Sequence, residues 1–127
     1  MKKLLLILVC LLLSNPSFGK WEKTVNNIEG YDFYLNFESL KKYDGYHHIW
    51  VMANYPKPSK LGVSSHKIYY QIDCKRYRYK FLKDVYYSGQ MGEGKIIANS
   101  DKPDKDWFYP APDSARDYWM SGVCKNL

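Results

Sequence analysis

Apolar and polar side chains alternate along most of the chain beyond its first twenty residues. One stretch has its apolar residues at every second position, at Tyr31, Phe33, Leu35 and Phe37. This period of two is typical of a strand with one buried face. The run from Tyr46 to Tyr55 is apolar at both parities, which predicts a central strand covered on both faces. Ser65 to Cys74 and Arg76 to Val85 also alternate, and the short gap between them predicts a tight hairpin or one long bent strand.

Shorter segments complete the predicted sheet. Trp21 to Val25 and Lys95 to Ala98 are further candidate strands, and Phe37 to Lys42 is expected to form a helical turn or a bend. The Asp44-Gly45 dipeptide predicts a turn, because glycine adopts a positive φ without a Cβ clash. A glycine-rich hairpin loop is expected from Ser88 to Gly94.

The period changes near the C-terminus. Apolar residues there recur at helical spacing, at Ala115, Tyr118, Trp119 and Val123. Ser114 with Asp117 three residues later approximates a capping box at the start of this helix. The sequence therefore predicts an α+β fold, with a single antiparallel sheet of about five or six strands and a C-terminal helix packed on it.

The first segment has the pattern of a secretory signal. A positive start at Lys2-Lys3 is followed by ten apolar residues from Leu4 to Leu13, which is about half of the ~20 that a membrane span needs. Small residues at Ser17 and Gly19 predict cleavage between Gly19 and Lys20. We expect residues 1–19 to be a signal peptide, residues 20–127 to be one exported domain, and the mature form to carry no membrane span. A lipidated cysteine is not expected, since Ile7-Leu8-Val9 rather than small residues precede Cys10.

Composition and charge refine this picture. The chain has 127 residues, 46% hydrophobic and 25% charged, which excludes a disordered or fibrous protein and allows one domain. Cleavage takes Lys2 and Lys3 from the 19 basic residues and leaves 17 against 13 acidic, a net charge of +4. It also leaves two cysteines, Cys74 and Cys124, which in a small exported domain predict a disulfide. The alternative is a pair of free buried thiols.

The histidines do not form a metal-binding pattern. His47 and His48 are neighbours on a predicted strand, so their side chains point to opposite faces of the sheet. His66 could add one nitrogen ligand across strands, but a closed zinc site needs four ligands. We therefore expect no metal, no haem and no other cofactor, and interpret the histidines as surface residues of a sheet.

No catalytic constellation is evident either. The segment Gly89 to Lys95 lacks the spacing of a phosphate-binding loop, and Ile96 stands where such a loop has Ser or Thr. Asp73 is the one acid near the middle of the sheet, and its neighbours Lys75 and Arg76 favour an ordinary ion pair or a turn contact. The sequence predicts a protein without enzymatic activity.

The most suggestive surface is the basic, tyrosine-rich stretch from Lys75 to Lys80. On a strand, Arg76, Arg78 and Lys80 would share one face and could bind an acidic polymer or an acidic partner protein. The alternative is a solvated sheet face with the tyrosines in the core. Nucleic acid is not expected as a partner, because it conflicts with export.

The order of several short patterns resembles the surface-adhesin protein E family of bacterial exported proteins. The residues that carry the resemblance are Trp50, Ile72-Asp73-Cys74, Tyr86-Tyr87, Met91-Gly92, Gly94-Lys95, Trp107, Pro110, Pro112-Asp113-Ser114 and Val123-Cys124. The resemblance spans residues 20–127. It implies a small antiparallel sheet with a C-terminal helix, a disulfide, dimerisation, and adhesion to host extracellular-matrix or serum proteins.

These observations together predict an exported, non-enzymatic binding module. We expect an adhesin-like protein at the cell surface or in the periplasm that contacts host matrix proteins, serum proteins or other envelope proteins. The alternative is a periplasmic inhibitor or accessory factor of another envelope protein.

Overall fold

The computed structural model describes residues 20–24 and 30–125. Six antiparallel strands follow one another in both sequence and space, each paired with the next. They are β1 (Glu22–Lys23), β2 (Asp32–Tyr43), β3 (Tyr46–Asn54), β4 (Ser65–Asp73), β5 (Arg78–Tyr87) and β6 (Ile96–Ser100). One helix, α1 (Ala115–Lys125), ends the described chain. The predicted antiparallel sheet with a C-terminal helix is confirmed, with six strands.

The hydrophobic core lies between α1 and one face of the sheet. Trp119, Met120 and Val123 of the helix are buried against apolar side chains from β2 to β5. The ring of Trp119 meets the edge of Tyr70 with 4.8 Å between the ring centroids. The sheet contributes Leu35, Ile49, Val51, Ile68, Tyr70, Ile72 and Tyr79. In the regular parts of β2 to β5, every second residue therefore faces the helix.

The predicted disulfide is confirmed. Cys74 directly follows β4, and Cys124 lies in the last turn of α1. Their sulfur atoms are bonded, with 5.7 Å between the Cα atoms and 50 positions between the residues in sequence. The bond fixes the end of the helix to the sheet.

The start of the helix is capped as predicted, with one change in the partners. Ser114 Oγ accepts a 3.1 Å hydrogen bond from the backbone N–H of Asp117. The carboxylate of Asp117 accepts from the backbone N–H of Asp113 at 2.9 Å and not from that of Ser114. Its other oxygen accepts from the hydroxyl of Tyr77 in the β4–β5 turn, at 2.6 Å.

The helix buries a face slightly different from the one that its periodicity predicts. Trp119 and Val123 face the core as expected, but Tyr118 is 68% exposed and Met120 is fully buried in its place. Tyr118 has a core-like spacing because it lies three residues after Ala115 and next to Trp119, but its ring points to solvent.

Strand β2 is longer than predicted. The segment Phe37 to Lys42, expected as a helical turn or bend, belongs to the strand and contains a bulge between Asn36 and Lys41. Ser39 occupies this bulge, where its hydroxyl donates to the Asn36 carbonyl at 2.6 Å and accepts from the Trp50 N–H at 3.0 Å. The side chain thus replaces a missing backbone partner and lets the strand continue.

Smaller differences concern strand ends. The first strand comprises only Glu22–Lys23, while Val25 lies outside the described residues, as do residues 1–19 with the predicted signal peptide. The glycine-rich loop contains a short 3-10 helix, Gln90–Gly92. It is held to β4 by the Ser65 hydroxyl, which donates to the Gly89 carbonyl and accepts from the Gly92 N–H. Across the described part of the chain, no helix is long and apolar enough to cross a bilayer.

Candidate functional site

The sheet face opposite α1 is unusually rich in aromatic rings. The open side of a half-covered antiparallel sheet normally carries polar residues. We call this surface the open face. Six of its rings, five from strands and one from a loop after β6, cluster at one end; they are Tyr43, Tyr46, His48, Trp50, Tyr69 and Trp107.

The rings contact one another across the strands. Tyr43 stacks on His48 with 3.5 Å between centroids and 5° between planes. The hydroxyls of Tyr43 and Tyr69 are 3.3 Å apart, and Trp50 lies 5.0 Å from Tyr69. His48 is fully buried beneath this stack, whereas Tyr43 itself is 43% exposed. The result is a shallow aromatic platform built from β2, β3 and β4.

The platform is uncharged at neutral pH. Burial lowers the pKa of His48 from its ordinary value, although the nearby Asp44 carboxylate works in the opposite direction. Burial and the hydrogen bond with Tyr43 raise the pKa of Tyr69 to about 12. His48 is therefore neutral and the Tyr69 hydroxyl keeps its proton, so this hydroxyl can donate a hydrogen bond.

Positive charges border these rings. Lys41 pairs with His48 across β2 and β3, and Lys83 pairs with Tyr69 across β4 and β5, so both point to the open face. Lys80 pairs with Gln71 and lies over the ring of Trp107, with Nζ 4.8 Å from the centroid. None of these three lysines forms a salt bridge within the described residues.

The predicted stripe of Arg76, Arg78 and Lys80 is only partly assembled. The chain forms the tight hairpin, and Arg76 lies in its turn, where Tyr77 has a φ of 54°. The alternation expected from Arg76 onward therefore starts only at Arg78, which begins β5. Arg78 and Lys80 share the open face and the ring of Trp107, and Arg76 is exposed at the tip.

Arg78 is neutralised by the acid that the sequence singled out. Its Nε donates a 2.9 Å hydrogen bond to Asp73, which also accepts from the backbone N–H of Arg76 at 3.2 Å. Burial alone would raise the pKa of the Asp73 carboxyl, but these hydrogen bonds and the charge of Arg78 outweigh it and lower the pKa. An ion pair of Asp73 is thus present, but its partner is Arg78 and not the expected Lys75 or Arg76. Arg76 supplies the turn contact through its backbone N–H.

The two neighbouring histidines point to opposite faces, as expected, but both are buried, so their interpretation as surface residues is wrong. His47 faces the core side, where its Nδ1 lies 3.3 Å from the sulfur of Cys74. His48 lies under Tyr43 on the open face. Over the described ranges, no three His, Cys, Asp or Glu side chains converge as metal ligands would.

Sequence reasoning missed Tyr43, Lys41, Lys83 and Trp107 as parts of this surface. Lys83 is three residues from Lys80, a spacing that puts two side chains on opposite faces of a regular strand. A bulge between their pairing positions shifts the register by one and returns Lys83 to the open face. The bulge in β2 does the same for Lys41. Periodicity alone carries no signal for either bulge.

Comparisons with known proteins agree with this architecture. Among solved structures, crystal form II of Haemophilus influenzae protein E is similar over 89% of this chain and 91% of its own, with 21% identity and a TM-score of 0.64. Protein E from non-typeable Haemophilus influenzae, also 21% identical, is similar over 90% of this chain and 82% of its own, with a TM-score of 0.60. At this identity the likeness establishes the fold. No curated protein sequence matches the chain.

A family model shows the family of the chain, which the 21% sequence identity to the solved structures does not show. The model described as surface-adhesin protein E matches residues 21–125, which include every strand, the helix and both cysteines of the disulfide. The chain belongs to the surface-adhesin protein E family.

Proposed function

We propose that the protein is an exported, non-enzymatic binding module of the cell surface, which contacts host extracellular-matrix or serum proteins, or other envelope proteins, through its open face. Family membership supports an adhesin-like surface protein. The observation that carries the proposal is the aromatic platform of Tyr43, Trp50 and Tyr69 bordered by lysines. Large rings with few rotatable bonds give much contact area at low entropic cost, which is why they are enriched in binding surfaces.

Export is part of the proposal. The segment of residues 1–19, with its positive start and apolar centre, directs the chain out of the cytoplasm, and cleavage after Gly19 releases residues 20–127. An oxidising compartment suits the bond between Cys74 and Cys124.

The absence of enzymatic activity is also proposed. Both cysteines of the mature chain are in the disulfide, so neither is available as a nucleophile. Asp73 is held as an anion by Arg78 and is therefore not poised for proton transfer near neutral pH.

Adhesion of intact cells tests the function. Cells that produce the protein should adhere to immobilised host matrix and serum proteins more than cells that lack the gene. Surface proteolysis should remove both the protein and the added adhesion. A protein that resists proteolysis in intact cells, together with unchanged adhesion, would contradict the proposal and favour the periplasmic inhibitor or accessory factor.

A further inference from the structure

We propose that the open face binds an acidic polysaccharide of the host matrix, a chain of sugar rings that carry sulfate or carboxylate groups. The proposal rests on the proposed function and names the ligand class of the same site. It follows from three features: the position of the charges relative to the rings, the bulges that put the charges there, and the polar groups between the rings.

Two lysines stand on opposite sides of the aromatic platform. Lys41 is on β2 and Lys83 is on β5, three strand spacings apart, which is about 14 Å at the usual ~4.8 Å per strand. Lys80 lies beside Lys83 on the same face of β5. The rings of Tyr43, His48, Trp50 and Tyr69 fill the space between. An extended anionic chain that crosses the strands would thus meet a charge at each end and rings in the middle.

Both edges of this arrangement depend on irregularities of the sheet. The bulge in β2 puts Lys41 rather than Lys42 on the open face, and the bulge in β5 puts Lys83 there with Lys80. A bulge interrupts the hydrogen-bond ladder, and such irregularities are common where a side chain is redirected for function. Two separate bulges that each aim a lysine at the same platform point to an anionic ligand.

The chemistry of the face favours the acidic polysaccharide of the matrix as the part that is bound, over the polypeptide surface of the matrix proteins. Lysine is depleted in protein–protein interfaces, where arginine is the preferred cation. The arginine of this surface, Arg78, is already paired with Asp73, so its free charges are lysines. The exposed aliphatic side chains that a protein partner would cover are not beside these lysines: Ile96 pairs with Tyr87 at the far end of β5 from Lys80, and Leu61 lies in the β3–β4 loop.

Polar groups between the rings match sugar hydroxyls. The hydroxyls of Tyr43 and Tyr69 lie at the surface of the platform, 3.3 Å apart. The Gln71 amide lies between Lys80 and His48, with its nitrogen 3.4 Å from His48 Nε2. A pyranose ring can stack its C–H face on an aromatic ring while its hydroxyls reach such groups at the ring's edge.

Affinity for heparin, a sulfated uronic-acid polymer, tests the proposal. The protein is recovered from the full-length gene in its exported, oxidised form, and neutral dextran serves as the uncharged probe. Replacing both bordering lysines, Lys41→Gln with Lys83→Gln, should weaken heparin binding about tenfold and reduce the salt dependence, the slope of log affinity against log salt, by ~2. Dextran should bind weakly to every variant.

A matched control removes the same charge from elsewhere. Lys42→Gln with Lys57→Gln deletes two exposed lysines, one paired with the core-side His47 and the other in the β3–β4 loop. This variant should keep its affinity within about twofold. Equal losses in the two double variants would show general cation attraction and overturn the proposal.

A ring variant separates stacking from charge. Tyr43→Leu keeps an apolar cover over His48 but removes the ring and the hydroxyl. It should weaken heparin binding several-fold and leave the salt dependence unchanged. Wild-type affinity in this variant would overturn the role of the platform.

A second experiment distinguishes this proposal from the proposed function. It measures the adhesion of cells to matrix proteins from which the acidic polysaccharide has been removed by enzymatic digestion. Full adhesion would overturn the ligand class and leave the adhesin function standing.

Discussion

Arg116 Nη1 donates a 2.7 Å hydrogen bond to the hydroxyl of Tyr79 and so joins the first turn of α1 to strand β5. The guanidinium also donates through Nε to Tyr70 at 3.2 Å. Its carbon lies 4.7 Å from the Tyr79 ring centroid and 5.6 Å from that of Phe81. Burial opposes the charge, yet the two hydroxyls outweigh it and raise the pKa of Arg116. The helix is thus held at its start by Arg116 and at its end by Cys124.

Replacing this arginine should loosen the start of the helix. We expect Arg116→Met to lower the free energy of unfolding by about 2–3 kcal/mol, because a buried charge-assisted hydrogen bond is lost and two tyrosine hydroxyls lose a donor. Urea denaturation measures the change. Arg76→Met, at an exposed turn position, is the control and should stay within ~0.5 kcal/mol of wild type. Equal stability of the two variants would contradict the role of Arg116.

The disulfide should contribute more to the free energy of unfolding than Arg116 does. Cys74→Ser and Cys124→Ser should each lower the free energy of unfolding by about 4 kcal/mol, since the bond closes a loop across 50 positions and constrains the unfolded chain. Thermal melting under oxidising conditions is the measurement, with the chemically reduced wild type as the reference. Equal melting temperatures for the wild type and both variants would refute this contribution.

Stability should fall in mild acid because of His66. Burial, followed by the charge of Arg116, lowers the pKa of His66 to about 4, whereas the unfolded value is near 6.5. Between these values the unfolded chain binds more protons, so stability is fully present above pH ~6.5 and is lost as the pH falls toward ~4. The loss should approach about 3 kcal/mol at pH 4.

A variant isolates this histidine from the others. His66 Nδ1 lies 3.0 Å from the Tyr55 hydroxyl, and its ring stacks on Tyr86. His66→Phe keeps the stacking and should flatten the decline in stability between pH 6.5 and 4, although it loses the hydrogen bond at all pH values. Urea denaturation at several pH values is the measurement. An unchanged pH slope in this variant would assign the effect to His47 and His48 instead, whose pKa values burial also lowers.

Arg76 and Arg78 should differ in their effect on folding, although both belong to the basic stretch of the sequence. Arg78→Gln leaves the buried carboxylate of Asp73 without its partner and should lower the melting temperature. Arg76→Gln keeps the backbone N–H that Asp73 accepts from, so its melting temperature should equal that of wild type. If both variants had the melting temperature of the wild type, the ion pair would make no contribution to stability.

The strands and the helix could be predicted because their burial is periodic. Leu35, Ile49 and Ile72 alternate with polar or outward-facing neighbours, and Trp119 and Val123 recur at helical spacing. The number of cysteines and the predicted export signal were enough to predict the disulfide. These features depend on local pattern and on compartment, both of which can be inferred from the sequence.

The open face could not be predicted because it depends on tertiary irregularity. Lys41 and Lys83 reach it through bulges. The hydroxyl of Ser39 holds the β2 bulge, and nothing in the sequence distinguishes Ser39 from the other serines. Trp107 joins it from a loop whose path is fixed by pairing between Tyr79 and Phe108. Pairing register between distant segments decides each of these positions, and hydrophobic periodicity does not encode it.

Oxidative footprinting of the protein bound to solubilised host matrix tests the central claim most directly. Tyr43 and Trp107 lie on the open face, while Tyr118 is exposed on the helix at the opposite side of the sheet. Binding should protect the Tyr43 and Trp107 side chains from hydroxyl radicals and leave the oxidation of Tyr118 unchanged. Protection of Tyr118, with Tyr43 and Trp107 as reactive as in the free protein, would contradict the account.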